Sequence, residues 1–236
     1  MDRAPLRLHG HAVSNYFNIA HAALVEKGAA FELVATRASQ GEAFLALSPM
    51  GKIPVLETPE GWIAETVAIL EYLEDTLAPP LHPQDAFLRA RARQLINVAQ
   101  VYLEVPARAL YGGVFMGGRN SDAVVAAVRA GLDRGTEALR RLVAPRPYLF
   151  GERCGPADLF VFHGLGLVER LNRHVYDRSL AAEVPGLADW AARMAERDSS
   201  RAVRAAFEPA FAAYLADKQA AYPFERIDGS PWSCAA

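Results

Sequence analysis

Ser48-Pro49-Met50-Gly51-Lys52-Ile53-Pro54-Val55-Leu56-Glu57, then the turn Thr58-Pro59-Glu60-Gly61, then Trp62-Ile63-Ala64-Glu65-Thr66, is the stretch from which the architecture is read. Ile53 meets Pro54 directly before a strand-like run. Proline has no N–H to give a ladder, so Pro54 belongs at the first residue of a strand or in a bend. A cis bond ahead of it costs little and would turn the backbone groups of Ile53 outward. Pro59-Glu60-Gly61 supplies turn chemistry, so residues 54–58 and 62–64 are predicted as an antiparallel hairpin. Glu65-Thr66 opens an amphipathic helix over 65–77. Ile69, Leu70, Leu73 and Leu77 form its buried stripe, with Glu71, Glu74 and Asp75 mostly outside.

Working outward from this stretch, residues 6–9 form a strand candidate stopped by Gly10. From Ser14 the period is helical, with Ile19, Ala20, Ala23 and Leu24 on one face. Lys27-Gly28 ends it with a cation and a glycine. Residues 31–34 read as a second strand, giving a parallel pair with a right-handed crossover. Residues 41–47 hold a short helix ended by Pro49. The first third is therefore β-α-β, linking helix, β-β-α, on the order of 80 residues and small for a core standing alone. Beyond Pro79, Pro80 and Pro83 no strand period is found. Helices are expected from Leu88 to a bend or stop at Pro106, across Val125, Val128, Leu132, Leu139 and Leu142, from near Pro156, over 187–197, and over 208–220. Domain boundaries follow at 1–80, a linker at 81–85, a helical domain at 86–220 and a tail at 221–236.

The 236 residues are 52% hydrophobic, enough for one large domain or two modest ones. A formal net charge of −2 gives no reason to expect a nucleic-acid or anionic-membrane partner. No basic patch with an apolar core follows Met1, and no apolar run reaches membrane-spanning length, so a cytoplasmic protein is expected. Cys154 and Cys234 make no metal-ligand or CxxC spacing. The six histidines make no ligand spacing either, and no metal is expected.

A β-α-β then β-β-α order, with a proline opening the third strand, resembles the thioredoxin-like arrangement. With helices behind a proline-rich joint, the chain resembles the cytosolic glutathione transferases up to about residue 220. Ser-Pro-Met-Gly-Lys-Ile-Pro-Val-Leu-Glu is similar to the family's N-P-x-G-K-V-P-x-L-E. Glu65-Thr66 with Ala68-Ile69 and Tyr72-Leu73 is similar to its E-S-x-A-I-x-x-Y-L. Gly151 to Asp158 resembles the G-x-x-x-[ST]-x-x-D element that starts a buried helix. Gly155 stands where that element has Ser or Thr, so the cap lacks a side-chain acceptor; Pro156 at the first helical position partly compensates. Thr66 replaces Ser but keeps the hydroxyl, and Ser48 for Asn is placed outside the chemistry. The resemblance implies a two-domain fold: a thioredoxin-like α/β domain with a mixed four-stranded sheet, then an all-α domain. It also implies a glutathione S-transferase, glutathione as co-substrate, an apolar electrophile and a homodimer.

Glutathione offers two carboxylates, peptide groups and a thiol. Thr66 at a helix start provides N–H groups, a dipole and a hydroxyl for a carboxylate, with Glu65 for the ligand's amine; a residue so placed also serves as a plain cap. Ile53 would pair its backbone with the cysteinyl part, beside Pro54. Lys52 and Gln40 are candidates for the glycyl carboxylate, although Gln40 also reads as an ordinary loop residue. A free thiol has a pKa near 8.5, and lowering it by two units takes about 2.7 kcal/mol. A hydroxyl at a helix N-terminus can supply much of that. Ser14 stands there, as in the serine-type members, and is otherwise a plain N-cap. Tyr16 is the rival donor, about 200° round the helix. Leu8-His9 occupy the place of the tyrosine of tyrosine-type members. Asn15 and Asn18 are possible helpers or first-turn polar residues. With no cysteine at the start of the first helix, a mixed disulfide with the protein at that site is excluded. Tyr102, Tyr111, Phe115 and Met116 are the apolar candidates for a second-substrate pocket between the domains, and each also reads as core packing. Gln100 or Glu104 is a candidate to reach the partner's glutathione amine. Glutathione-dependent isomerase or peroxidase activity, or a binding protein without turnover, are the alternatives.

Overall fold

The structure is a computed structural model, and it describes residues 5–224. Two compact units make up the chain. The first holds the described residues up to Leu81 together with Asp198–Phe207, and the second holds His82–Arg197 and the described residues from Glu208 onward.

In the first unit the order is β1 (Leu6–Gly10), α1 (Asn15–Glu26), β2 (Phe31–Ala35), α2 (Glu42–Leu45), β3 (Val55–Thr58), β4 (Gly61–Ala64) and α3 (Thr66–Thr76). The sheet order is β2-β1-β3-β4, with β1 parallel to β2 and antiparallel to β3, and β3 antiparallel to β4. Leu6, Leu8 and Leu56 are buried, as are Ile19, Leu24, Ile69, Leu70 and Leu73 on α1 and α3. Alternate β1 residues lie on the other sheet face. There Arg7 Nη1 and His9 Nε2 meet Glu57 Oε2 at 2.8 and 2.9 Å, and His9 stands edge-on to Trp62. His9 is thus held by the sheet. The hairpin turn is tighter than its sequence suggests, because Gly61 at φ 143° pairs with Thr58 as part of β4.

Lys27 is buried at the end of α1. Its ammonium donates to Glu74 Oε2 at 2.6 Å and to the carbonyls of Leu77 and Pro79, each at 2.9 Å. Glu74 in turn accepts from Leu81 N–H at 2.9 Å. The exit from α3 is thereby fastened by one satisfied ammonium.

The second unit is helical: α4 (Ala86–Ala99), a π turn (Gln100–Glu104), α5 (Val105–Ala107), a 3-10 turn (Arg108–Leu110), α6 (Tyr111–Val114), α7 (Asp122–Leu142), α8 (Pro156–Tyr176), α9 (Leu180–Glu183) and α10 (Leu187–Ala195). Of the bend or stop expected at Pro106, the stop does not occur. Pro106 sits in the first turn of α5, where no N–H is needed, and the path continues in short helical pieces to Val114. α9 has no counterpart in the sequence reading. α11 runs over Asp198–Asp217, so it begins ten residues before the expected 208 (208 − 198 = 10) and carries Pro209 inside it. Ser199 Oγ donates to Glu26 Oε1 at 2.5 Å, holding the start of α11 to the first unit. Of the expected tail, Tyr222 and Phe224 pack on Phe211, and residues 225–236 lie outside the described residues.

Asp158 is the third residue of α8 and accepts from Gly155 N–H, Leu149 N–H and Trp190 Nε1 at 2.9, 2.9 and 2.7 Å. This is the carboxylate half of a capping box; Gly155 contributes no side chain. Burial pushes the Asp158 carboxyl up to about 6, against the three hydrogen bonds that favour its charged form.

Candidate active site

Ser14 is the N-cap of α1. Its backbone is extended (φ −77°, ψ 116°), and its Oγ accepts from Phe17 N–H at 3.3 Å. Its own N–H closes the preceding turn on His11 O at 2.9 Å. A hydroxyl that accepts in this way keeps its proton for another acceptor. No acidic residue lies in the first turn of α1 or of α3, so neither helix end has its positive pole offset from within.

The two helix starts are joined. Thr66, buried at the head of α3, donates its Oγ1 to Tyr16 O at 3.3 Å. The Thr66 hydroxyl is therefore engaged within the protein, and its helix end offers main-chain N–H groups. Immediately before it, Glu65 has φ 70° and ψ 116°, a sparsely populated region for a residue with a Cβ, while its side chain is exposed. Nothing in the local sequence announces this strain, since no glycine or asparagine stands there.

On the β3 side, the Ile53–Pro54 bond is cis. The paired register of β3 starts at Val55, so the backbone of Ile53 lies beyond the ladder. Lys52 is exposed, and its N–H donates to the buried Ser48 Oγ at 3.1 Å. Ser48 thus shapes the approach to Ile53, a role missed in the sequence, where a serine ahead of Pro-x-Gly was the available signal. Gly51 has φ 64°, and a Cβ there would lie 2.3 Å from Ser39 O. Gln40 Nε2 donates to Met50 O at 3.2 Å, so its amide supports this same loop.

The second-substrate candidates all fall in the helical unit and divide by exposure. Tyr102 and Met116 are 59% and 47% exposed. Tyr111 is half-buried and edge-on to Phe115. Phe115 is only 2% exposed, packed against Phe211 and Tyr222, and is a core residue rather than a pocket wall. Glu104 is likewise corrected. It is fully buried, takes Arg108 Nε and Nη2 at 3.0 and 2.7 Å, and accepts from Tyr111 OH, so its carboxylate is engaged by residues four and seven positions on. Gln100 opens the π turn. Among the described residues no group of three or more His, Cys, Asp or Glu is disposed to hold a metal, and no helix is long and apolar enough to cross a membrane.

A mixed four-stranded sheet with a cis-proline before β3, carried with a helical unit, defines a thioredoxin-like fold joined to an all-helical domain. Residues 8–80 match the glutathione S-transferase N-terminal domain. A glutathione S-transferase of Pseudomonas putida is 35% identical over 92% of this chain and 94% of its own length. The chain belongs to the glutathione S-transferase family of enzymes. A maleylacetoacetate isomerase of Pseudomonas aeruginosa is 29% identical over 54% of this chain and 62% of its own. A glutathione S-transferase of Methylobacterium radiotolerans, solved in complex with glutathione sulfonate, is 26% identical, with a TM-score of 0.70 over 85% of this chain and 94% of that one.

Proposed function

We propose that the protein is a glutathione transferase in which the Ser14 hydroxyl stabilises the glutathione thiolate. The observation that carries this reading is the Ser14 cap, whose Oγ accepts from Phe17 N–H and retains its proton at the positive end of α1. The thiolate attacks an electrophilic carbon, a C–S bond forms, and the leaving group departs with its electron pair. A charge-assisted O–H···S⁻ bond together with the helix dipole supplies the stabilisation, with no general base needed. Tyr16 is the secondary donor.

The other groups hold the tripeptide. The start of α3 at Glu65-Thr66 takes the γ-glutamyl end, the backbone of Ile53 beside Pro54 pairs with the cysteinyl unit, and Lys52 with Gln40 takes the glycyl carboxylate. Tyr102, Tyr111 and Met116 remain the proposed apolar contacts for the electrophile. The enzyme works as a cytoplasmic homodimer in detoxification.

The likeness to a maleylacetoacetate isomerase favours one second reading, glutathione-dependent isomerisation at the same thiolate. Turnover with glutathione and a model aryl halide, maleylacetoacetate or an organic hydroperoxide separates the readings. Conjugation of the aryl halide, abolished in Ser14→Ala, is the expected result. Turnover of maleylacetoacetate alone would make it an isomerase, and glutathione binding with no turnover would remove catalysis from the account.

A further inference from the structure

We propose that Asn18 is a positioning residue for Ser14, an inference that rests on the Ser14 reading above. The loop between β1 and α1 carries Ser14, and Asn18 grips it from one helical turn further on. The Asn18 Nδ2 donates to Ala12 O at 2.9 Å, and its main-chain N–H donates to Ser14 O at 3.0 Å. One residue thus fixes the loop on both sides of Val13.

Packing alone does not account for an asparagine here. Asn18 is 4% exposed, between Phe17 and Ile19, which are 3% and 0% exposed. Its Oδ1 is buried without a hydrogen-bond partner. An unsatisfied buried acceptor is destabilising, and asparagine is a poor residue for a helix interior. Turning the amide over would set its oxygen against the Ala12 carbonyl, so the donor must face the loop. A leucine would fill the volume without the orphaned oxygen, but would release Ala12 and with it the placement of the Ser14 hydroxyl. Asn18 itself does not touch the sulfur.

The test compares Asn18→Leu and Asn18→Ala, each alone and with Ser14→Ala. The apparent pKa of the bound glutathione thiol is read from thiolate absorbance and from the pH profile of kcat/KM, with melting temperature and glutathione Kd measured alongside. Asn18→Leu is expected to raise the thiol pKa by about half a unit or more. It should lower kcat/KM about tenfold, with the Kd within about threefold of wild type. Adding it to Ser14→Ala should change neither further. An unchanged thiol pKa in the folded variant, or an equal loss in the Ser14→Ala background, overturns the proposal. Should the leucine variant not fold, Asn18→Ala, which also removes the donor and adds no charge, carries the same comparison. A Ser14→Ala enzyme with a wild-type thiol pKa would instead remove the Ser14 reading itself, and Asn18's role with it.

Discussion

The Thr66 hydroxyl donates to the main-chain carbonyl of Tyr16 at 3.3 Å, which ties the head of α3 to the first turn of α1. The residue proposed to hold the γ-glutamyl end therefore also steadies the helix start that bears Ser14. Thr66→Val keeps the shape and removes the donor, leaving the Tyr16 carbonyl without that bond. A net hydrogen bond of about 1 kcal/mol corresponds to roughly a fivefold rise in the KM for glutathione. Thr66→Ser is expected to stay close to wild type. Steady-state kinetics with glutathione varied checks both.

Gly135 lies where α7 meets the π turn. A Cβ there would stand 2.6 Å from both Tyr102 O and Leu103 Cδ2. Alanine gains about 1 kcal/mol in helix propensity, but a backbone oxygen cannot move aside as a flexible side chain can. Gly135→Ala should therefore destabilise by about 1–3 kcal/mol, read as a lower urea midpoint at unchanged m.

Lys27 and Glu74 form an ion pair at 2.6 Å, with the lysine side chain 1% exposed. Removing one partner leaves the other buried and strands the carbonyls of Leu77 and Pro79. Lys27→Met is expected to cost about 3–5 kcal/mol by equilibrium denaturation. A loss under about 1 kcal/mol would show that water replaces the ammonium.

Asp158 gives stability an unusual pH dependence. Its folded pKa of about 6 lies above the ordinary aspartate value of 3.8, so the folded protein holds this proton more tightly than the unfolded chain. The contribution is fully present below about pH 4 and is lost as the pH rises through about 6, amounting to about 3 kcal/mol. His21 acts in the opposite sense. Burial lowers its pKa, so its contribution is present above the ordinary histidine range and is lost as the pH falls through its folded value. Denaturation from pH 4 to 7 should show wild type losing stability relative to Asp158→Asn as the pH rises. A difference that is flat with pH would contradict the assignment.

What was legible in the sequence was what local chemistry dictates. Pro54 has no N–H, so it stands at the entry to β3, one residue ahead of the first paired position, and Ser14 caps the helix that follows it. What was not legible depends on distant partners. Phe115 is enclosed by Phe211 and Tyr222, roughly a hundred positions away, and no spacing reveals that. Glu104 carries a charge and sits in a helix, the pattern of a solvated residue, yet Arg108 and Tyr111 enclose it. A last helix is expected over 208–220, but α11 begins at Asp198, where Ser199 meets Glu26, and takes Pro209 inside it at the loss of a hydrogen bond. Asn18 reads in the sequence as a possible helper or a first-turn polar residue, and Ser48 as lying outside the chemistry; only their burial and bonds show that each holds a piece of main chain.

The central claim is that the Ser14 hydroxyl lowers the pKa of the glutathione thiol. The most direct measurement is a pH titration of thiolate absorbance in the glutathione complex of wild type, Ser14→Ala and Tyr16→Phe. Wild type should ionise the thiol about two units below the free value near 8.5, Tyr16→Phe should match it, and Ser14→Ala should return most of the way. A thiol pKa that stays low in Ser14→Ala, or that rises only in Tyr16→Phe, would contradict the account.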